Sequence, residues 1–322
     1  MDCENLPVNR KSSIAVARLL DQMADDLALT VIGGYQGIGR PVLTADINRP
    51  GLALSGYLDY FASDRIQILG NTETHYMERL SASQLRWRLE RMFSFEIPAF
   101  LLSRNLKPRH VFLDVCNRRG IPVLQSRRTT DEVISRVILF LSEEFCPETM
   151  VHGTAVDCFG VGCLIAGMPG IGKSETALEL VERGHRLVAD DMVTLRRSRE
   201  DALYAEATPV VEHHMEIRGV GIIDIKSVFG VGRVRNTKRI SLVVELEEWK
   251  QDAQYDRTGL QEEFVDILGV RIPYLLIPVR PGRNIAIILE VAALNYRLKE
   301  FGVHPAHQLN ERLISMMNTT DA

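Results

Sequence analysis

Gly167-Met168-Pro169-Gly170-Ile171-Gly172-Lys173-Ser174 is the stretch that decides the fold. It satisfies G-x-x-x-x-G-K-[ST], follows the apolar run Cys163-Leu164-Ile165-Ala166, and opens a helical pattern, Ser174 to Arg183, that Gly184 closes. Strand, glycine-rich turn and helix in that order are the context in which this pattern binds phosphate. Glycines let successive amides turn inward without a Cβ clash, so N–H groups and the helix dipole meet the anion. Lys173 is then the residue to reach the β and γ oxygens of a nucleotide, and the Ser174 hydroxyl the one to ligate Mg²⁺. The other glycine cluster, Gly33 to Gly39, lacks the dinucleotide spacing, runs into Arg40-Pro41 instead of a helix, and reads as a plain turn.

Outward from this loop the chain divides in two. Its 322 residues are long for one core, and its 46% hydrophobic and 25% charged residues are those of an ordinary globular protein. Upstream, Leu27 to Gly34 and Arg65 to Gly70 read as strands and Ser81 to Phe93 as a helix, the makings of a small α/β domain. A helical spacing over Thr129 to Glu144 ends near Cys146-Pro147, which sets domains of 1–146 and 147–322. Downstream, a hairpin leads into the phosphate loop, Arg186 to Leu195 reads as one strand, Arg239 to Glu247 and Tyr274 to Val279 as further strands, and Asn284 to Phe301 as a helix.

Charge and cysteines narrow the class. A net charge of −4 provides no global positive field, so neither nucleic acid nor a membrane is an expected partner. The five cysteines are odd in number, scattered and never in a C-x-x-C pair, which favours a reducing compartment and argues against zinc. The start lacks the apolar core of a signal peptide, and the longest apolar stretch, Ile285 to Leu294, is interrupted by Glu290. The expected location is the cytoplasm.

Phosphoryl transfer also needs a metal-holding carboxylate and a proton acceptor. Asp190-Asp191 ends an apolar run soon after the phosphate-loop helix, and on a strand the two would project to opposite faces. Met215-Glu216-Ile217-Arg218-Gly219-Val220-Gly221-Ile222-Ile223-Asp224 places an acid, a base and two glycines just before what reads as a buried strand. Glu216, an oxygen ligand, suits magnesium better than a transition metal, although His213 and His214 lie beside it. On spacing alone His152 reads as a structural histidine and Arg257 as a turn arginine, while Pro278-Val279-Arg280-Pro281-Gly282-Arg283 is a rigid basic loop suited to an anionic partner.

Laid out this way, the chain resembles the bifunctional HPr kinase/phosphorylase family over nearly its full length. The resemblance is carried by Asp46 to Tyr57 (DINRPGLALSGY), Arg65 to Gly70 (RIQILG), the phosphate loop with Glu175 to Leu180 (ETALEL), and Gly184 to Asp191 (GHRLVADD). Glu216 to Gly219 (EIRG), Gly282-Arg283-Asn284 and Glu290 to Ala293 (EVAA) complete it. It implies an α/β N-terminal domain of uncertain role, a P-loop kinase domain of the phosphoenolpyruvate-carboxykinase-like type, and a homohexamer. The implied activity is ATP-dependent phosphorylation of a serine of the phosphocarrier protein HPr, reversed by phosphorolysis that releases pyrophosphate.

By that resemblance His152, Lys173, Asp191 and Arg257 are active-site residues, Ser174 and Glu216 magnesium ligands, Met215 to Asp224 a segment used in both directions, and Pro278 to Arg283 one used in dephosphorylation. Met168-Pro169 departs from the family's usually polar pair and removes one side-chain hydroxyl and one backbone N–H donor from the loop. The phosphate loop alone equally allows a small-molecule kinase, and a nucleotide-sensing regulator without phosphotransfer is the alternative from another class.

Overall fold

The computed structural model describes residues 6–208, 211–251, 253, 255 and 260–320. They form two compact units, one of residues 10–146 and one of residues 147–320 joined by residues 6–9.

In the first unit, β1 (Ile14–Ala15), α1 (Val16–Met23), β2 (Thr30–Gly33), β3 (Pro41–Val42), β4 (Ile47–Asn48) and α2 (Gly51–Ser55) precede β5 (Ile66–Leu69) and α3 (Asn71–Arg79). Then come α4 (Ala82–Met92), β6 (Phe100–Leu102), α5 (His110–Arg119), β7 (Val123–Gln125) and α6 (Thr130–Glu144). The sheet runs β2-β7-β6-β5-β4, with β4 to β7 parallel and β2 antiparallel to β7. Every residue of β5 and β6 is buried, as strands covered on both faces must be. Leu69, Phe100 and Leu102 pack with α4 and α5 on one face, while Ile66, Ile68 and Leu101 pack with α1 and α6 on the other. The helix starts follow from their sequences: Thr129 and Glu132 exchange hydrogen bonds as a capping box at α6, and Ser81 and Gln84 do so at α4. Gly33 to Gly39 forms a turn with one 3₁₀ step, where a Cβ on Gly34, at φ +64°, would lie 1.9 Å from the Ile121 carbonyl oxygen.

The second unit contains β8 (Glu148–His152), β9 (Thr154–Cys158), β10 (Val161–Gly167), α7 (Lys173–Glu182), β11 (Arg186–Ala189), β12 (Met192–Arg197) and β13 (Leu203–Ala207). The hairpin of β14 (His214–Ile217) and β15 (Gly221–Asp224) follows, then α8 (Ile225–Phe229), β16 (Thr237–Glu248), β17 (Glu263–Ile267), β18 (Val270–Val279), α9 (Ile285–Glu300) and α10 (Pro305–Thr320). The main sheet is ordered β11-β9-β10-β16-β13-β12-β8, with β18 on β16 and β17 on β18. β16 is long enough to serve both halves, pairing antiparallel with β13 near its start and parallel with β10 and β18 towards its end. Residues 6–9 join this unit through a bridge in which Asn9 and Glu148 exchange backbone hydrogen bonds at 2.8 and 2.9 Å.

Two expectations change here. Arg186 to Leu195 is two strands, because Asp190-Asp191 is a bend that sends β11 to one edge of the sheet and β12 towards the other. The strand ending the Met215 to Asp224 segment is not buried: Val220 and Ile222 are 73% and 74% exposed at the tip and outer strand of the hairpin. Elsewhere the hairpin before the phosphate loop, the helix after it and the long apolar strands fall where periodicity puts them. Ala177, Leu180 and Val181 bury the inner face of α7 against β9 and β10 residues such as Val156 and Cys163. Each large apolar side chain there contributes about 1.5–3 kcal/mol. No helix of the described residues is long and apolar enough to cross a membrane.

Candidate active site

β10, buried along almost all its length, delivers Gly167 to the edge of the sheet, and α7 begins at Lys173. Between them Ile171 N–H donates to the Met168 carbonyl at 3.2 Å around Pro169-Gly170. Proline fixes the φ that the second position of a type II turn needs, and Gly170 at φ +82° supplies the third. The departure at Met168-Pro169 therefore makes the crest of the loop a preformed turn. A Cβ on Gly170 would lie 3.1–3.2 Å from the guanidinium nitrogens of Arg218, which reaches over the loop from the β14–β15 tip. The Lys173 ammonium donates to the carbonyls of Gly167 and Met168 at 3.0 and 3.1 Å, so it is folded back on its own loop.

The two aspartates are set apart by the bend that follows β11. Asp191 has φ +64°, a left-handed conformation that Asp tolerates better than most residues. Its side chain is 77% exposed, whereas Asp190 is 5% exposed. The separation expected from strand alternation is present, but a left-handed residue produces it.

Three cross-links register this bend with His152-Gly153-Thr154. His152 Nδ1 lies 3.7 Å from Asp191 Oδ1, Gly153 N–H donates to the Asp191 carbonyl at 3.0 Å, and the Thr154 hydroxyl donates to Asp190 Oδ1 at 2.6 Å. The same Asp190 oxygen accepts from the Ser174 hydroxyl at 3.0 Å, and Asp190 Oδ2 is buried with no partner among the described residues. Burial pushes the Asp190 carboxyl above its ordinary range, with the hydrogen bonds from Thr154 and Ser174 pulling the other way. Thr154 was not marked by the sequence reading; it opens β9, two residues after His152 ends β8.

His152, Lys173, Ser174, Asp190, Asp191, Glu216 and Arg218 line one cavity of about 440 Å³. Ser174, Glu216 and the unpartnered Asp190 oxygen offer only oxygen donors, the set a hard divalent cation prefers. His213 and His214 turn to other partners, Asn236 at 3.2 Å and the Glu212 carbonyl at 2.8 Å. Arg257 lies outside the described residues. Pro278 to Arg283 is not gathered into this cavity: Pro278 and Arg283 line a neighbouring one, and Arg283 donates to the Pro278 carbonyl at 3.0 Å.

A parallel strand ending in a phosphate-binding turn, a lysine and hydroxyl at the helix start, and a hydroxyl–carboxylate pair beside an exposed carboxylate together define a P-loop phosphotransferase. Residues 14–141 match the family described as HPr Serine kinase N terminus, and residues 143–313 the one described as HPr Serine kinase C-terminal domain. The chain belongs to the HPr serine kinase family. It is 47% identical over 304 residues to HPr kinase/phosphorylase 1 of Oceanobacillus iheyensis, an alignment covering 94% of this chain and 98% of that one. It is 44% identical over 298 residues to HPr kinase/phosphorylase of Thermoanaerobacter sp., covering 92% and 98%. The solved HPr(Ser) kinase/phosphatase of Coxiella burnetii is 32% identical and covers 51% of this chain and 99% of its own, with a TM-score of 0.45.

Proposed function

We propose that this protein transfers the γ-phosphoryl group of ATP to a serine of the phosphocarrier protein HPr, and reverses the transfer by phosphorolysis. The observation that carries the reading is the placing of Lys173, the Ser174–Asp190 pair and the His152–Asp191 pair around one cavity. Membership of a family whose relatives bear the name HPr kinase/phosphorylase supports the choice of acceptor.

In the forward direction Lys173 leaves the Gly167 and Met168 carbonyls and neutralises charge on the transferring phosphoryl group. Asp191, exposed and free to approach the acceptor, takes the serine proton as the serine oxygen bonds to phosphorus and ADP departs. His152, beside Asp191, orients that carboxylate. In reverse an oxygen of inorganic phosphate bonds to the phosphoserine phosphorus, the serine oxygen leaves with a proton returned by Asp191, and pyrophosphate is released. Magnesium held by Ser174 and Glu216, with Asp190 in support, would supply charge compensation on the phosphates. Arg257 is assigned to the same charge compensation on resemblance, as are the Met215 to Asp224 segment to both directions and Pro278 to Arg283 to dephosphorylation.

We place the protein in the cytoplasm, on the reducing compartment its scattered cysteines favour, and as a homohexamer, which the resemblance implies. Self-association is supported by an apolar stripe on α9, where Ile287, Val291, Leu294 and Leu298 are 44–59% exposed. Incubation with labelled ATP and either HPr or a mixture of metabolites tests the activity. Label on HPr serine is the expected result; label only on a metabolite, or bound nucleotide that never turns over, would select the small-molecule kinase or the sensor instead.

A further inference from the structure

Beside the phosphate loop lies a second cavity, of about 710 Å³, lined by Trp249, Tyr255, Ile277, Pro278, Arg283 and Ile288 among others. Its place follows from register. Gly167, Leu246 and Ile277 stand side by side in the parallel strands β10, β16 and β18, so the chain leaves all three on one edge of the sheet. The phosphate loop follows the first, Trp249 the second and Arg280 the third. Trp249 N–H donates to the Val279 carbonyl at 3.1 Å, which holds the second exit against the third. Strands in a sheet are about 4.8 Å apart, so the cavity is displaced from the phosphate loop by roughly 5–10 Å. Asn284, the cap of α9, donates to Glu179 of α7 and ties the helix bearing Ile288 to the phosphate-loop helix.

The lining says what would fill it. The walls combine apolar and aromatic side chains with Gln251 and Arg283; the Tyr255 and Trp249 rings lie 4.9 Å apart and the Arg280 guanidinium is laid over the indole. Arg283 is engaged with the Pro278 carbonyl. Besides the exposed amide of Gln251, one buried directional group is left over: Trp249 Nε1–H has no hydrogen-bond partner among the described residues. A flat heteroaromatic ring with an acceptor nitrogen matches an apolar slot with a single buried donor.

We propose that this cavity is the base subsite for the nucleotide whose phosphates occupy the Lys173 loop, with Trp249 Nε1–H donating to a ring nitrogen of the base. The assignment rests on the phosphotransfer reading of that loop.

Trp249→Phe keeps an aromatic ring and removes the N–H. Calorimetric titration of the full-length variant with ADP and, separately, with pyrophosphate, both with Mg²⁺, separates base from phosphate. ADP binding should weaken about 3- to 10-fold, the worth of one hydrogen bond, while pyrophosphate binding stays within about 2-fold of wild type. Equal weakening for both ligands, or no weakening for either, overturns the assignment. Wild-type protein that binds neither ligand sinks the phosphotransfer reading itself. A measurement that needs no variant uses an azido-adenine analogue of ATP: light should attach it to peptides carrying Trp249 or residues 275–288, and attachment confined to other peptides refutes the proposal.

Discussion

Asp191→Asn separates chemistry from folding more cleanly than any other single change in this site. The side chain is 77% exposed, its Oδ1 lies 3.7 Å from His152 Nδ1, and the residue sits at φ +64°. Asparagine is at least as comfortable in the left-handed region, and its amide matches the carboxylate in size. Stability should therefore stay within about 0.5 kcal/mol of wild type, as for other exposed substitutions. The backbone link from Gly153 to the carbonyl of residue 191 survives, so the bend and its neighbour Asp190 stay in place.

What the amide cannot do is take the serine proton. Loss of a general base costs about 100- to 10,000-fold in rate, or roughly 2.7–5.4 kcal/mol of transition-state stabilisation. Because the proton moves in both directions, kcat should fall in phosphorylation and in phosphorolysis alike, with nucleotide affinity little changed. The assay is serine-phosphorylation kinetics on HPr at saturating ATP, with nucleotide binding measured separately and thermal unfolding as the control. A kcat near wild type in a folded variant would refute the assignment of Asp191 as proton acceptor.

Asp190→Asn should behave differently: the buried carboxylate that holds Ser174 loses its charge, so half-maximal activity should require about 10- to 100-fold more Mg²⁺, and raising Mg²⁺ should partly restore the rate. A magnesium titration that superimposes on wild type would contradict this. Pro169→Ala restores a backbone N–H that the Met168–Ile171 turn does not use, and pyrophosphate should bind roughly 3- to 10-fold tighter by calorimetry; unchanged affinity would mean that this position does not face the anion. Glu290 accepts hydrogen bonds from Arg183 and lies 2.8 Å from the buried His185, and the Arg183 bond first, then His185, hold its carboxyl below the ordinary range against the opposing effect of burial. Its contribution is complete above the unfolded-state pKa and is lost as pH falls through the lower folded value. Glu290→Gln should therefore destabilise by about 1–3 kcal/mol at neutral pH, with a difference that shrinks below roughly pH 4 in denaturant titrations. A difference independent of pH would place the effect elsewhere.

Much of this was legible before any coordinates. The phosphate loop could be read because each of its constraints leaves a residue signature: an apolar strand before it, glycines where φ is positive, a lysine and a hydroxyl at the helix start. The apolar spacing over Ser81 to Phe93 and Thr129 to Glu144 marked two helices in the same way, and the capping pairs Ser81–Gln84 and Thr129–Glu132 stand at their starts. The Asp190-Asp191 bend left no such trace, since an aspartate at positive φ looks like any aspartate, and the flanking apolar residues read straight through it as one strand. Ile222-Ile223 looked buried because apolar pairs usually are, yet the hairpin carrying Glu216 and Arg218 stands out from the sheet. Thr154 and Trp249 were missed because their significance is three-dimensional: a hydroxyl meeting a buried carboxylate, and an indole in a cavity wall whose buried N–H has no partner among the described residues. The placement of residues 6–9 with the second unit is likewise a pairing across nearly 140 residues that no local pattern encodes.

The most direct test of the central claim is mass spectrometry of purified HPr after incubation with this protein, Mg²⁺ and ATP, followed by transfer of the product to excess inorganic phosphate without nucleotide. A single phosphoryl group should appear on one serine in the first step and disappear in the second with pyrophosphate released, and Lys173→Ala protein should do neither. HPr whose mass never changes beside an enzyme that binds ATP, or a phosphoserine that persists in phosphate or disappears without pyrophosphate, would contradict the account.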